Sequence, residues 1–172
     1  MQLGNRIIIV GCPGSGKSTL AYKLHRITGI PLIHLDNIWW KSDRSHITRD
    51  EFDFELTKIM KGERWILDGD YSRTYEKRIM HCDTVIFLDY DVETCIDGIL
   101  KRVGKKRSDI PFTEKEPDHE LLLKVREYRE KERPILYSLF SEYHEKNVLI
   151  FRARDQSDKW LKEFDQSSMR IV

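Results

Sequence analysis

The sequence contains few cysteines, no long apolar run and no excess of charge of either sign. Its three cysteines, Cys12, Cys82 and Cys95, are scattered and form no C-x-x-C pair, which excludes a disulfide framework and a cysteine zinc site. No stretch approaches the roughly 20 apolar residues that cross a bilayer. The N-terminus lacks the apolar segment and cleavage site of a secretory signal. We therefore expect a cytoplasmic protein with free thiols and no membrane partner.

The charge balance argues against a dedicated nucleic-acid-binding protein. Thirty lysines and arginines face 29 aspartates and glutamates, which leaves a formal charge of +1. Proteins whose main function is to bind DNA or RNA carry a clear excess of basic residues, because phosphate contacts supply most of their affinity. The balanced net charge does not exclude a local basic patch that binds nucleic acid. The length of 172 residues, with 40% hydrophobic residues, predicts a single domain over 1–172 with one core.

Short apolar runs alternate with longer amphipathic stretches. We predict strands at 6–10, 32–35, 65–67, 84–88 and 148–151, and helices at 17–28, 48–60, 92–103, 118–143 and 157–164. Pro134 should kink the fourth helix or split it in two. The strands are apolar without alternation, which is typical of parallel strands covered by helices on both faces. The pattern predicts a three-layer α/β fold, whose ligands bind at the carboxyl ends of the strands.

One motif carries a specific chemical meaning. The pattern G-x-x-x-x-G-K-[ST] is matched by Gly11, Cys12, Pro13, Gly14, Ser15, Gly16, Lys17 and Ser18. Glycines let the backbone curl so that amide groups face phosphate oxygens, and the following helix adds its positive end. Lys17 supplies a charge for the outer phosphates, and the Ser18 hydroxyl can ligate magnesium. Because the motif follows a predicted strand and opens a predicted helix, it indicates a site for ATP with Mg²⁺.

Three aspartates follow apolar strands and should stand near the ligand edge of the sheet. Asp36 and Asp68 precede no obvious helix, which favours a role with the metal or the acceptor hydroxyl. Asp89 precedes a helical stretch and can equally cap it. His34 lies in a predicted strand, and we interpret it as a buried, hydrogen-bonded histidine.

Two further features leave alternatives open. The basic run 101–107 can form an anion-clamping lid, a solvated charged surface or a nucleic-acid patch, and its position favours the lid. Trp39 and Trp40 follow Asp36 and can stack on a substrate ring or anchor the segment in the core.

Several segments resemble adenylate kinase and its relatives: GCPGSGKST, LDGDYSRT, TVIFLDY, and VREYREKERPILYSLFSEY followed by NVLIF. Within that group, PLIHLDNIWWK and DGDYSRTYEKR most resemble the bacterial DNA topology modulation proteins, or FlaR-type family. The resemblance implies a P-loop NTPase fold with a five-stranded parallel sheet in the order 2-3-1-4-5, helices on both faces and a short lid. It implies phosphoryl transfer from ATP, with Mg²⁺, to a nucleotide or small-molecule acceptor.

The resemblance also implies roles for individual residues. The loop from Gly11 to Thr19 would bind nucleotide, Asp68 would hold magnesium through water beside Ser18, and Asp36 would face the acceptor or the metal. Arg73 or Arg78 would grip acceptor phosphate or the transferring oxygens. The acceptor insert would span 36–63 and the lid 104–117. Residues 152–156, with Arg154, would line the adenine pocket. The implied clamp on the polyphosphate consists of Arg102, Arg107, Arg126 and Arg129.

The chain departs from adenylate kinases on the acceptor side. It has HLDNIWWK where they carry T-G-D-[ML]-R, and D-G-D-Y-S-R where they carry D-G-F-P-R. These differences argue against AMP as the acceptor. The sequence thus favours an ATP-dependent kinase. Its alternatives are a nucleotide-binding regulator acting on DNA topology and an ATPase switch without acceptor.

Overall fold

The computed structural model describes residues 3–169, in which seven helices surround a five-stranded sheet. The strands are β1 (Arg6–Gly11), β2 (Leu32–His34), β3 (Trp65–Asp68), β4 (Thr84–Leu88) and β5 (Asn147–Phe151). The helices are α1 (Lys17–Thr28), α2 (Leu35–Trp39), α3 (Arg49–Met60), α4 (Tyr75–His81), α5 (Val92–Leu100), α6 (His119–Glu142) and α7 (Arg154–Met169). Across these residues, we find no helix with the length and apolar character of a membrane span.

The sheet is parallel throughout, with the strand order β2-β3-β1-β4-β5, and this confirms the predicted fold. Every residue of β3 and β4 is buried, as expected for strands with helices on both faces. Helices α1 and α7 contact each other, while α6 contacts both α4 and α5. The carboxyl ends of all five strands therefore meet at one edge, where the site described below lies.

The helices differ from the sequence prediction in several places. Two short helices, α2 and α4, were not predicted, and β2 ends at His34 so that Asp36 lies within α2. Helix α7 begins at Arg154, earlier than predicted, and α5 ends at Leu100. Helix α6 is not split at Pro134: one element of 24 residues passes through it. Buried side chains before and after the proline, including Val125 and Leu136, hold both halves against the core.

Asp91, rather than Asp89, caps helix α5. The Asp91 carboxylate accepts a hydrogen bond of 2.6 Å from the backbone amide of Thr94. Asp89 instead accepts bonds of 2.7 and 2.9 Å from the Arg133 guanidinium and one of 2.8 Å from the Tyr137 hydroxyl. The capping interpretation of Asp89 is therefore wrong, and this carboxylate ties the end of β4 to α6.

The loop that joins β1 to α1 lies directly against helix α5. Gly14 of the loop and Gly98 of α5 approach so closely that a Cβ atom on either would overlap the backbone of the other element. Gly14 also has a φ of 84°, a left-handed conformation that glycine adopts at little cost. Both elements thus need glycine at this contact, which fixes the position of the loop against α5.

We expect Gly98→Ala to destabilise the protein and to weaken its binding of Mg-ATP. Alanine favours a helix over glycine by about 1 kcal/mol, but the new methyl group would overlap the Gly14 carbonyl oxygen, which cannot move without shifting the loop. Overpacking of this kind costs about 1–3 kcal/mol. Chemical denaturation and calorimetry with Mg-ATP measure the two effects. Glu93→Ala, an exposed change in the same helix, should alter neither; equal behaviour of the two variants would contradict the packing argument.

Candidate active site

A cleft of about 1380 Å³ opens at the carboxyl edge of the sheet. Its walls come mainly from the loop after β1, the segments after β2 and β3, and the segment between α5 and α6, which contains no helix or strand. Residues of helices α1, α5, α6 and α7 complete the wall. Residues that the sequence singled out and that line the cleft are Pro13, Gly14, Gly16, Lys17, Ser18, Thr19, Asp36, Asp68, Arg102, Arg107 and Arg154. The fold thus brings most of the predicted site residues together.

The loop after β1 is arranged to receive an anion. Gly16 is the N-cap of α1, has a φ of 98° and provides no side-chain cap, so the first amide groups of the helix have no side-chain acceptor. The Lys17 ammonium donates hydrogen bonds to the carbonyl oxygens of Gly11 at 2.7 Å and Cys12 at 3.0 Å. The Ser15 hydroxyl is buried and has no partner among the described residues. Free donors and a nearby ammonium group form a suitable cradle for phosphate oxygens.

Asp68 offers one free oxygen to the cleft. Its Oδ2 atom lies 2.7 Å from Nδ1 of His34, whereas Oδ1 is buried without a hydrogen-bond partner among the described residues. Burial lowers the pKa of His34, but the hydrogen bond and charge of Asp68 raise it more, so the net pKa lies above its ordinary value. His34 is thus the hydrogen-bonded histidine that its strand position suggested. The free carboxylate oxygen and the Ser18 hydroxyl are oxygen donors of the kind that Mg²⁺ prefers, so this donor set fits that ion.

Asp36 is presented to the cleft by α2 and held by Tyr71. The Tyr71 hydroxyl donates a bond of 2.7 Å to Oδ1 of Asp36. Burial raises the pKa of Asp36, and the charges of Asp68 and Asp109 raise it further; the Tyr71 bond and Lys17 act in the opposite direction, and the net pKa is raised. A carboxylate whose pKa is raised toward pH 7 is a stronger base and is better suited to accept a proton from a hydroxyl group. Asp36 is such a group, and it lines the same cleft as the loop after β1.

The segment after α5 forms a compact charge cluster over the cleft. Arg102 bonds to Glu114 at 2.8 Å, and Arg107 bonds to Glu114 at 3.0 Å and to Asp109 through both Nε and NH2. Burial alone would raise the pKa of Asp109, but the bonds and charge of Arg107 lower it to about 2. The two guanidinium groups are therefore matched by two carboxylates. Asp109 and Glu114 are site residues that sequence reasoning missed, since acids next to arginines normally indicate a solvated surface.

Aromatic rings line the cleft near Asp36. Trp39, Trp40, Tyr71 and Phe112 all contribute to its wall. Trp39 stacks on His46 with ring centres 4.5 Å apart, and Trp40 meets the edge of Phe112 at 5.9 Å. Each tryptophan thus faces the cleft and also packs on neighbouring rings, which combines the two sequence interpretations. We call these four rings the aromatic wall.

The segment over the cleft also bonds to the acceptor side. The Asn37 side chain donates to the Ser108 carbonyl at 2.8 Å, and the Arg44 guanidinium donates to the Thr113 carbonyl at 3.0 Å. Together with the contact between Trp40 and Phe112, these bonds join α2 and the residues after it to residues 108–113. Residues of this segment line the cleft, and a lid at 104–117 stays a prediction.

Besides Arg129, which is described below, three predicted arginines lie outside the cleft wall of the described residues. Arg73 forms an exposed bidentate pair with Asp53 at 2.7 and 2.8 Å. Arg78 is fully buried and donates to the backbone carbonyls of Gly69, Asp70 and Tyr71. Arg126 is exposed on α6 and lines neither cavity. These contacts indicate a structural role for Arg78, and direct substrate contact by any of the three stays a prediction.

Cys12 and Arg129 line a second cavity of about 330 Å³ on the other side of the loop. The neighbouring Cys95 thiol and burial raise the pKa of the Cys12 thiol, which disfavours the reactive thiolate. On the cleft side, Arg154 lies beside Gly16 and over the ring of Tyr90 at 5.8 Å. Arg154 is thus near the phosphate loop, while Cys12 contributes mainly packing.

Solved structures with the same fold include two shikimate kinases and a gluconokinase. Shikimate kinase from Bacteroides thetaiotaomicron aligns over 94% of this chain and 96% of its own, with a TM-score of 0.59 and 17% identity. Shikimate kinase from Acinetobacter baumannii, in complex with shikimate, aligns over 98% and 94%, with a TM-score of 0.62 and 16% identity. A gluconokinase from Sinorhizobium meliloti 1021 aligns over 99% and 95%, with a TM-score of 0.57 and 16% identity.

These three proteins share the adenylate kinase-like fold that the sequence resemblance implied. At such low identity the similarity shows the fold alone. No protein-family model and no curated protein matches the chain. The narrower resemblance to the FlaR-type family is therefore not confirmed.

The different settings of Arg73 and Arg78 predict different consequences of removing each charge. Arg78→Met would leave buried backbone carbonyls without donors, so we expect the free energy of unfolding to fall by about 3 kcal/mol or more. Arg73→Met breaks an exposed ion pair and should cost about 1 kcal/mol or less. Urea denaturation of the two variants measures both values. Equal losses would show that Arg78 does not support the turn after β3.

Proposed function

We propose that this chain is an ATP-dependent kinase that transfers the γ-phosphoryl group to a small molecule with the help of Mg²⁺. The observation that carries the proposal is the convergence of the phosphate loop, Asp36 and two lid arginines on one cleft. Phosphoryl transfer needs mainly positioning and charge stabilisation, and this cleft supplies both kinds of group. The fold shared with shikimate kinases and a gluconokinase supports the same reaction class.

In this proposal each group of residues in the cleft has its own role. Amide groups of the loop and the Lys17 ammonium hold the phosphate tail, and Arg154 lies where it can contact the nucleotide. Ser18 and Asp68 would hold Mg²⁺, which neutralises phosphate charge when bound. Arg102 and Arg107 stabilise the charge that develops on the transferring group. The lid covers the cleft and excludes water from the reaction.

Asp36 completes the site on the acceptor side. Tyr71 holds its carboxylate in place, and the Lys17 charge lies near enough to influence its pKa. In this position Asp36 orients the acceptor hydroxyl and takes its proton as the new bond forms. Tyr71 acts through Asp36 as a positioning residue.

Lys17→Ala should abolish turnover, because it removes the cation that holds the outer phosphates. We expect a loss of at least about 100-fold in acceptor-dependent ADP release. Lys23→Ala removes an exposed lysine of the same helix, whose only described partner is Asp158 at 3.5 Å, and should leave the rate unchanged. If Lys17→Ala consumed ATP at the wild-type rate, the role of Lys17 would be wrong. A wild-type protein that hydrolyses ATP without any acceptor would be an ATPase switch instead.

Asp36→Asn should lower kcat while leaving ATP binding unchanged. The amide keeps the shape of the carboxylate but cannot take a proton, so we expect a loss of about 100-fold or more in kcat. The Kd of Mg-ATP, measured by calorimetry, should stay within about twofold of wild type. Asp53→Asn, a matched change at the surface pair with Arg73, serves as the control. An unchanged kcat in Asp36→Asn would exclude Asp36 as the proton acceptor.

A further inference from the structure

The arginines on the acceptor side of the cleft are already paired with other groups. Here we take the acceptor side to be the aromatic wall together with Asp36 and Asp109, which all line the cleft. Arg107 reaches this region, but its guanidinium is already bonded to Asp109 and Glu114. Arg44 lies at the exposed rim, where its guanidinium sits over the Phe112 ring at 5.2 Å and donates to the Thr113 carbonyl. Neither group is free to pair with an acidic substrate without giving up contacts that it makes here.

The two arginines that follow β3 do not supply this charge either. Arg73 is paired with Asp53 at the surface, and Arg78 is buried against backbone carbonyls. Carboxylates outnumber cations around the acceptor hydroxyl site: the charges of Asp68 and Asp109 act on Asp36, against the single opposing charge of Lys17. A phosphate or carboxylate group placed here would meet like charges, which disfavours its binding.

The aromatic wall offers a surface for a flat ring. Trp40 is partly exposed and lines the cleft, and its neighbours Trp39, His46 and Phe112 all meet it at interplanar angles of 80° or more. Among the described residues, no ring therefore stacks in parallel on Trp40. A planar substrate ring can take up that contact, since offset-stacked rings attract each other beyond their area of burial.

We propose, on the basis of the kinase function above, that the acceptor is a neutral hydroxyl compound carrying a planar ring, of nucleoside type. Its ring stacks in the aromatic wall and its hydroxyl group bonds to Asp36. The hydroxyl oxygen attacks the γ-phosphorus of ATP, the bond from that phosphorus to the β–γ bridging oxygen breaks, and ADP leaves. The hydroxyl proton passes to the Asp36 carboxylate. Compounds with a phosphate or carboxylate group at the same position are poor acceptors.

A matched panel of acceptors tests this inference. Adenosine, guanosine, cytidine, uridine and thymidine are compared with their 5′-monophosphates, with shikimate and gluconate, and with glycerol as a neutral compound without a ring. At least one nucleoside should raise ADP release about tenfold over the rate without acceptor, and its monophosphate should not. An acid that is used faster than every nucleoside overturns the inference and leaves the kinase function standing. Faster use of glycerol overturns the part of the inference that concerns the ring.

A tryptophan variant tests the stacking contact. Trp40→Leu should raise the KM of the best nucleoside about tenfold or more while the KM of ATP stays within twofold. Trp160→Leu is the matched control. Trp160 lies in α7, where it packs on Phe164 and on Phe151 of β5, and it does not line the cleft. Equal KM values for the nucleoside in both variants would overturn the stacking role. Melting temperatures of both variants separate a local effect from a loss of folding.

A binding measurement distinguishes failure of this inference from failure of the proposed function. With Mg-ADP present, a nucleoside should quench the tryptophan fluorescence of wild type and lose most of that effect in Trp40→Leu. Nucleoside quenching without any acceptor-dependent ADP release would contradict the kinase function and support the ring site. Absence of quenching by all five nucleosides overturns the ring site, whatever the kinetics show.

Discussion

The contact between Gly14 and Gly98 is the constraint on which the site depends. The phosphate loop cannot move away from α5 without opening a gap, and it cannot move closer because backbone already meets backbone. Helix α5 leads at its carboxyl end to Arg102 and the lid. The same contact that shapes the phosphate cradle therefore sets the position from which the lid begins. The coupling between lid and loop is built into the main chain and does not depend on a bound substrate.

The carboxyl edge of the sheet carries more negative than positive side chains. Asp68 ends β3, while Asp36 and Asp70 come shortly after β2 and β3. Burial raises the pKa of Asp36 and Asp70. Lys17 acts in the opposite direction on both groups. Such a concentration of buried carboxylates is costly for an isolated protein, and a Mg²⁺ ion held as in the proposed function would offset part of this negative charge. The local electrostatics thus favour a metal-bound phosphate over a free anion.

The sequence predicted the parts of the structure that depend on local pattern. The five strands, the loop after β1 and most helices follow from periodicity and glycine spacing, and the strand order followed from the family resemblance. The pair of His34 and Asp68 could not be predicted, because it depends on the register of β2 against β3, which places these two residues opposite each other. Register of parallel strands is set by the packing of the whole sheet.

Arg78 shows a second limit of sequence reasoning. A pattern of apolar residues treats arginine as a surface residue, so the buried face of α4, formed by Tyr75, Arg78 and Ile79, was not recognised. The arginine is buried because the turn after β3 exposes backbone carbonyls that need donors, and Tyr71 in that turn has a φ of 41°. The turn that presents Tyr71 to Asp36 therefore depends on a charge that the sequence had assigned to substrate binding.

On the proposed function, the ion pairs of Arg102 and Arg107 provide a way for one cleft to distinguish two kinds of ligand. Arg102 and Arg107 are held by Glu114 and Asp109, so a ligand can use their charge only by competing with those carboxylates. A triphosphate carries several negative charges and can compete, whereas a single carboxylate or phosphate on an acceptor gains no more than the existing pairs provide. Because Arg102 and Arg107 are already paired with carboxylates, they favour the triphosphate on one side of the cleft. On the other side they leave recognition to the shape of the aromatic wall and to the hydroxyl contact with Asp36.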